Sequence, residues 1–437
     1  MVAIASAPRA VSTDVLDKLF RKITWKIIPL LFVGYVIAYI DRVNIGFAKL
    51  QMMDDLQFSA AAYGLGAGIF FLGFIVVEIP SNLILYRIGA RAWLARIMIT
   101  WGVITILMMF VKTPASFYLL RFLLGVAEAG FFPGVIYYLT LWYPENRRGR
   151  VFSVFAAGSA IGGFIVGPLS GWIMSHLNDV AHLRGWQWLF LLQGIPAILL
   201  GGLLFLRLSD GPSSAKWLSA EERAKLSEQV GAKAVAGHAH SSVWTVFQDG
   251  RVWLLGLILG AANLGIYLGV FWMPTIIRDA GFQDLQTVGF LSSIAYLIAA
   301  AAMYALGRSS DYVGDRKWHI ATILVIGAIA LTVSPLFHQV AFVGMSGVII
   351  ATALLIGITP LLWAHASSFI DGKIAAAGFA LINVCAGVAA FLGPYIMGLS
   401  EQYLGSTDLV FYGIATACVI AAVLLVAAPT LSAGRAA

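Results

Sequence analysis

The chain has 437 residues, of which 60% are hydrophobic and only 11% charged, and its mean hydropathy is +0.89. Soluble domains carry about 25% charged residues, so this composition excludes a water-soluble protein and leaves room for about a dozen membrane helices at about 20 residues each. The formal charge of +7 needs no nucleic-acid partner, because basic loops that meet anionic lipid headgroups account for it.

In chain order, residues 1–22 lack an apolar signal core, and Lys18, Arg21 and Lys22 lead straight into the first span. They read as a retained cytoplasmic segment. Spans follow near 25–48, 61–83, 92–111, 115–141, 150–174 and 186–207. A hydrophilic stretch over 208–250 then divides the chain, and its run SSAKWLSAEERAKLSEQ predicts a short cytoplasmic helix opened by capping serines. Its roughly 40 residues are too few for a soluble enzyme domain. Six further spans lie near 251–276, 286–307, 318–338, 340–363, 373–398 and 407–429, ahead of a cytoplasmic tail at 430–437. The two cysteines, Cys385 and Cys418, fall in apolar segments and read as small core residues.

The expected class is an all-α integral membrane protein of twelve transmembrane helices in two pseudo-symmetric six-helix bundles, 23–207 and 251–429. Shifting the first half by 225 positions (289 − 64) brings Gly64 onto Gly289, Gly89 onto Gly314, Arg91 onto Arg316 and Asp54 onto Asp279. A shift of 226 (393 − 167) brings Gly167-Pro168 onto Gly393-Pro394. A duplicated unit of this kind is how many transporters are built, with the solute site between the repeats.

Most of the 28 Lys and Arg residues fall on one side of such a bundle, including Arg87, Arg91, Arg147, Arg148, Arg308 and Lys317. Lys49, Lys112, Arg184 and Arg278 fall on the other. The positive-inside rule then places both termini in the cytoplasm. Trp25, Trp142, Tyr143, Trp186 and Trp318 near span ends are expected to be interfacial aromatics. Short outer loops without an Asn-x-Ser/Thr sequon point to a bacterial inner membrane.

Asp41, Arg42, Arg121 and Glu128 lie inside the spans, where a charge is costly and usually faces a polar path. Arg121 and Glu128 are two turns apart on one face of the fourth span, about 10 Å along it. Both buried cations are arginines, whose planar fork suits a carboxylate better than the point charge of lysine. Glu78, beside Pro80, reads as a gate or a structural pair with Arg87, Arg91 or a loop arginine. The second half offers only neutral groups at depth, Asn263, Tyr267 and Asn383, with His365 near a cytoplasmic end; an amide there is as often helix-packing glue as a solute contact.

The segment GRSSDYVGDRK, Gly307 to Lys317, resembles the cytoplasmic loop signature of the major facilitator superfamily. Gly307 there permits close helix approach, Gly314 a tight turn, and Asp311 a contact with a neighbouring helix N-terminus or an arginine. The first-half copy NLILYRIGAR keeps Arg87, Gly89 and Arg91 but has Asn82 and Tyr86 where the signature has Gly and Asp. Within that superfamily the runs YIDRVNIGFA, EIPSNLILYRIGARAWLARIMITWG, RFLLGVAEAGFFPGVIYYLTLWYP and GWQWLFLLQGIPA are similar to the anion:cation symporter branch, over nearly the whole chain. The resemblance implies proton-coupled import of an organic anion such as tartrate, phthalate, hydroxyphenylacetate or a sugar acid. It implies proton coupling by Asp41 and Glu128 and anion contact by Arg42 and Arg121; the expected solute contacts further include Tyr39 and Asn44 of the first run and, from the reading of the second half, Asn263, Tyr267 and Asn383.

Gly163, Gly167, Pro168 and Gly171 resemble an antiporter signature of the same superfamily, though Trp172 stands at its last glycine; exchange or export is therefore the alternative, and a non-translocating anion sensor a second. The absence of HExxH, Walker and CxxC motifs leaves no enzyme reading, no metal and no cofactor. The expected partners are a small organic anion, protons and the bilayer, with the chain a monomer.

Overall fold

The computed structural model describes residues 13–230, 244–337, 339–368 and 375–428; the tail at 430–437, residues 231–243 of the linker and the first twelve residues lie outside them. Among the described residues, twelve helices are long and apolar enough to cross a membrane: α1 (Val15–Leu56), α2 (Ala60–Ile88), α3 (Ala90–Phe110), α4 (Pro114–Thr140), α5 (Glu145–His176), α6 (Gly185–Arg207), α7 (Gly250–Asp279), α8 (Leu285–Val313), α9 (Arg316–Leu336), α10 (Ala341–Ala366), α11 (Ala377–Leu404) and α12 (Asp408–Ala427). Each matches an expected span, and most run longer. The difference is greatest in α1, whose polar ends continue the helix beyond the stretch that hydropathy alone detects. Polar caps set several starts: Ser59 accepts from Ala62 N at 3.2 Å, Asp284 from Thr287 N at 2.8 Å, and Asp315 from Trp318 N at 3.1 Å.

The helices form two bundles of six. In the first, α3 packs on α6, α2 on α4, and α1 on α5 and α6; in the second, α7 packs on α11, α9 on α12, and α8 and α9 on α10. The bundles meet along two seams, α2 against α11 and α5 against α8, with α1 touching α7 between them. The sequence repeat lies in these seams. A Cβ on Gly64 would stand 2.5 Å from Pro394 O, and one on Gly289 would stand 3.2 Å from Pro168 N. Gly64 and Gly289 are repeat equivalents, as are Pro394 and Pro168, so one close-approach contact occurs twice, related by the pseudo-twofold axis.

The ends of the bundles differ. At the face away from the linker, the seam is closed by Tyr63 Oη donating to Phe271 O at 3.1 Å, Arg278 Nη1 to Leu50 O at 3.0 Å, and Ala61 N to Gln402 Oε1 at 3.2 Å. Lys49, only 4% exposed, stands 3.7 Å from Glu401, with its ammonium 4.2 Å from the ring centre of Trp272 and 5.0 Å from that of Tyr63. Between Val43, Phe47, Met273 and Tyr296 only about 10 Å³ is left open.

At the opposite face the linker lies on the first bundle. Its helix spans Ala220–Val230 and opens at Ser219, later than the first serines of the run: Ser219 Oγ accepts from Glu222 N at 3.1 Å, and Glu222 Oε2 accepts from Ser219 N at 2.8 Å. Lys22 Nζ donates to Glu222 at 2.8 and 2.9 Å, and that bond holds the glutamate carboxyl below its usual range. Three expected interfacial aromatics are enclosed instead: Trp142 is buried and stacks on Trp217 at 5.5 Å, and buried Trp186 donates to Asp55 at 2.7 Å. Tyr143 is likewise buried, whereas Trp25 and Trp318 are exposed.

The signature loop is realised in part. Gly314 is left-handed with φ 73°, as the tight turn requires, and Asp311 lies 3.6 Å from Arg316. Gly307, expected at a close helix approach, has nothing within 4 Å of a built Cβ, so its lack of a side chain is not used for packing here. In the first-half copy, Arg87 is exposed. Asp210, from beyond α6, takes the position of an anchor: it accepts from Arg91 N at 2.9 Å, where α3 begins after Gly89 at φ 101°.

Gly64→Leu and Gly289→Leu are expected to lower stability in the same direction, each by about 1–3 kcal/mol of overpacking, measured as the midpoint of thermal unfolding in detergent.

Candidate functional site

The fourth span is broken, and the break places its acid. Pro133 has no N–H to return to the carbonyl of Ala129 four residues earlier; Ser81 Oγ of α2 donates to that carbonyl instead, at 2.8 Å. Gly130 adopts φ 90°, so α4 is two helices, Pro114–Glu128 and Phe131–Thr140. Glu128 closes the first half. The corresponding span of the second bundle, α10, is also interrupted, between Gly357 and Thr359, ahead of Pro360. Discontinuous helices in matching repeat positions mark solute sites in transporters.

Arg42 of α1 reaches this break. Its Nη2 pairs with Glu128 Oε1, and the side chains are 16% and 2% exposed. The guanidinium also lies 5.6 Å from the ring centres of both Phe70 and Phe74. Arg42 Nε and Glu128 Oε2 are buried without a hydrogen-bond partner, so the pair uses only part of its bonding capacity. Cation and anion thus neutralise each other while leaving a donor and an acceptor free for a third group, an arrangement that costs stability and is found where function needs it.

The neighbouring acid points elsewhere. Successive helical residues diverge by about 100°, and Asp41, 2% exposed, turns toward α3. Thr105 Oγ1 lies 2.8 and 3.0 Å from its two oxygens, and Asn44 Nδ2 donates to it at 3.3 Å. Thr105 was not among the residues singled out by sequence; a threonine in an apolar span gives no signal until its partner is known. Asn44 therefore serves Asp41 in this conformation and does not face the second bundle.

Arg121, expected as an anion contact, is fully buried. Its Nε donates to Gly66 O at 3.1 Å and its Nη2 to Ala67 O at 3.2 Å, and it stacks at 5.1 Å on Phe70 from α2. The close packing of α2 on α4 at Gly66 and Gly125 brings the guanidinium onto backbone carbonyls, and its Nη1 is buried without a hydrogen-bond partner.

The second bundle contributes from α7, α8 and α11. Tyr267 packs on Phe71 with ring centres 4.5 Å apart, and Tyr296 meets Tyr39 edge-on at 5.9 Å. Asn263 Nδ2 donates to Ala386 O at 3.2 Å, joining α7 to α11 as packing glue. Asn383 Nδ2 donates to both oxygens of Glu78, at 2.9 and 2.8 Å. Glu78 was expected to pair with Arg87, Arg91 or a loop arginine; it turns from the basic loop toward the seam and finds an amide of the other bundle. His365 is buried at the linker-face end of α10, apart from these groups. An apolar cavity of about 530 Å³, lined by Leu264, Ile396, Tyr403 and Leu409 among others, opens between α7, α11 and α12; it contains no charged side chain and is separate from the site.

Residues 31–394 match the Major Facilitator Superfamily. The chain is 47% identical to a provisionally named metabolite transport protein, NicT, of Pseudomonas putida, over 94% of both chains. It is 42% identical to a provisionally named tartrate transporter of Agrobacterium vitis, over 94% of this chain and 95% of that one. A quinolone resistance transporter of Acinetobacter baumannii is 41% identical over 88% and 89% of the two chains. With twelve membrane-spanning helices, paired bundles and this match, the chain belongs to the major facilitator superfamily and is a multi-pass membrane transporter, not an enzyme.

Proposed function

We propose that the protein is a proton-coupled importer of a small organic carboxylate. The observation that carries this reading is the Arg42–Glu128 pair at the break of α4, buried at the seam with a donor and an acceptor unused. A carboxylate arriving at the seam takes the arginine fork in two parallel bonds. Glu128, stripped of its cation in a dry site, then favours its protonated form. Asp41, held by Thr105 and Asn44 one residue from Arg42, is the second proton carrier, and Arg121 supplies fixed positive charge from behind Phe70. Proton and anion binding thereby favour each other, and the neutralised site can occlude and reopen.

The bundles at 23–207 and 251–429 are the rocking units, joined by the linker at 208–250. With the basic loops and both termini in the cytoplasm of a bacterial inner membrane, the sealed face is periplasmic. The protein works as a monomer. Relatives named for tartrate and metabolite transport support an organic acid as the solute; the relative named for quinolone resistance supports a second reading, export or exchange. The direction of the driving gradient separates the two.

In proteoliposomes with acid outside, accumulation of tartrate, phthalate, hydroxyphenylacetate or galactonate is expected for at least one acid. Asp41→Asn and Glu128→Gln are expected to abolish gradient-driven accumulation, and retention of full accumulation by both would refute the coupling role. Arg42→Lys is expected to weaken binding of the transported acid by about tenfold or more, since a charge-assisted hydrogen bond contributes about 1.5–3 kcal/mol; thermal stabilisation by the acid in detergent measures this.

A further inference from the structure

Glu78 is a carboxylate that the steps above leave unused. It stands past the middle of α2, on the seam, and of the cross-bundle hydrogen bonds described it lies nearest the linker face. A single amide nitrogen, Asn383 Nδ2 of α11, donates to both of its oxygens. Arg42 lies on the same face of α2, its guanidinium 5.6 Å from the ring of Phe74 one turn before Glu78, although its bonded partner is Glu128. A carboxylate held by a neutral amide of one bundle, in the field of an arginine of the other, occupies the position that a transported carboxylate would need. The difference is that this one is fixed to α2.

We propose that Glu78 is a tethered stand-in for the transported anion. In the unloaded protein its carboxylate occupies Asn383 and holds α11 against α2; an entering solute, with one end on Arg42, brings a second oxygen group that takes the Asn383 amide from it. The exchange keeps the Asn383 donor satisfied, and the displaced Glu78 carboxylate takes up a proton, because an unpaired carboxylate is disfavoured in a dry site. The proposal rests on Arg42 as the anion contact and narrows the solute class. Because Asn383 offers an N–H donor, the far end of the solute needs an acceptor, which favours hydroxy acids and dicarboxylates over monocarboxylates with an apolar tail.

The test uses full-length protein with Cys385 and Cys418 replaced by alanine and spin labels at Asp54→Cys and Gln283→Cys, one on each bundle at the sealed face. Their distance distribution reports the open fraction of that face without any knowledge of the natural solute. Glu78→Ala is expected to raise the open fraction, and millimolar acetate, a free carboxylate of the deleted size, to restore closure. Asn383→Ala should open the face equally without responding to acetate, and the double variant should match either single one. Glu78→Gln, which keeps the shape but replaces a charge-assisted bond with a neutral one, should raise the open fraction by about fivefold.

An unchanged distribution in Glu78→Ala and Glu78→Gln, or acetate acting equally on Glu78→Ala and Asn383→Ala, would overturn the stand-in. Acetate rescue without carboxylate uptake in proteoliposomes would count against the importer reading alone. Uptake without acetate rescue would count against the stand-in alone.

Discussion

A charge inside a membrane bundle must be answered by the protein itself, because no bulk water is there to do it. The middle of the first bundle holds two arginines and three carboxylates, and each has found a different kind of partner. Glu128 has Arg42, Asp41 a hydroxyl and an amide, Glu78 an amide of the opposite bundle, and Arg121 two carbonyls of α2. With all five ionised the set carries one excess negative charge. An anion added to it deepens that excess unless a proton comes too. The proposed proton coupling rests on this charge count, before any particular acid is assigned the proton.

The geometry of the pair depends on a defect in regular structure. An unbroken α4 would continue past Glu128, with the Ala129 carbonyl bonded inside the helix. Pro133 forbids that bond, Gly130 takes the turn, and Ser81 satisfies the carbonyl. Glu128 consequently sits in a terminal turn, where the helix end is electronegative and a cation is favoured, and Arg42 fills that place. The same run of residues thus specifies the break, the acid at its edge and the need for a basic partner.

Much of this was legible in the chain, for reasons that also mark the limit. Span number and order follow from hydropathy, since a run of about 20 apolar residues has few alternatives in a bilayer. The repeat was visible because Gly64 and Gly289 are needed at contacts where a side chain would collide. The four buried charges were conspicuous for their cost. Their partners were not, because partner choice depends on the azimuth of each helix: Asp41 and Arg42 are adjacent in sequence yet face α3 and α4. The same lack of azimuth hid Thr105 and the Asn383 partner of Glu78. Lys49 was counted only as an outer charge, since nothing local distinguishes a solvated lysine from one enclosed by Trp272 and Tyr63.

The repeats are symmetric in packing and asymmetric in charge, and that combination suits a rocking carrier. Glycine contacts repeated across the pseudo-twofold axis give both seams similar fit, so the bundles can pivot without one seam opening a cavity that the other cannot fill. Among the described residues, the carboxylates and arginines of the interior site, Asp41, Arg42, Glu78, Arg121 and Glu128, lie in the first bundle, while the second presents Asn263, Tyr267, Tyr296 and Asn383 there. A proton or anion therefore changes the balance on one side of the seam only. Contacts across it, from Glu78 to Asn383 in the interior and from Lys49 to Glu401 and Trp272 at the sealed face, tie charges of the first bundle to the second. Were the charges shared equally between the repeats, ionisation of the two halves would tend to offset, and the seam would respond less to either ligand.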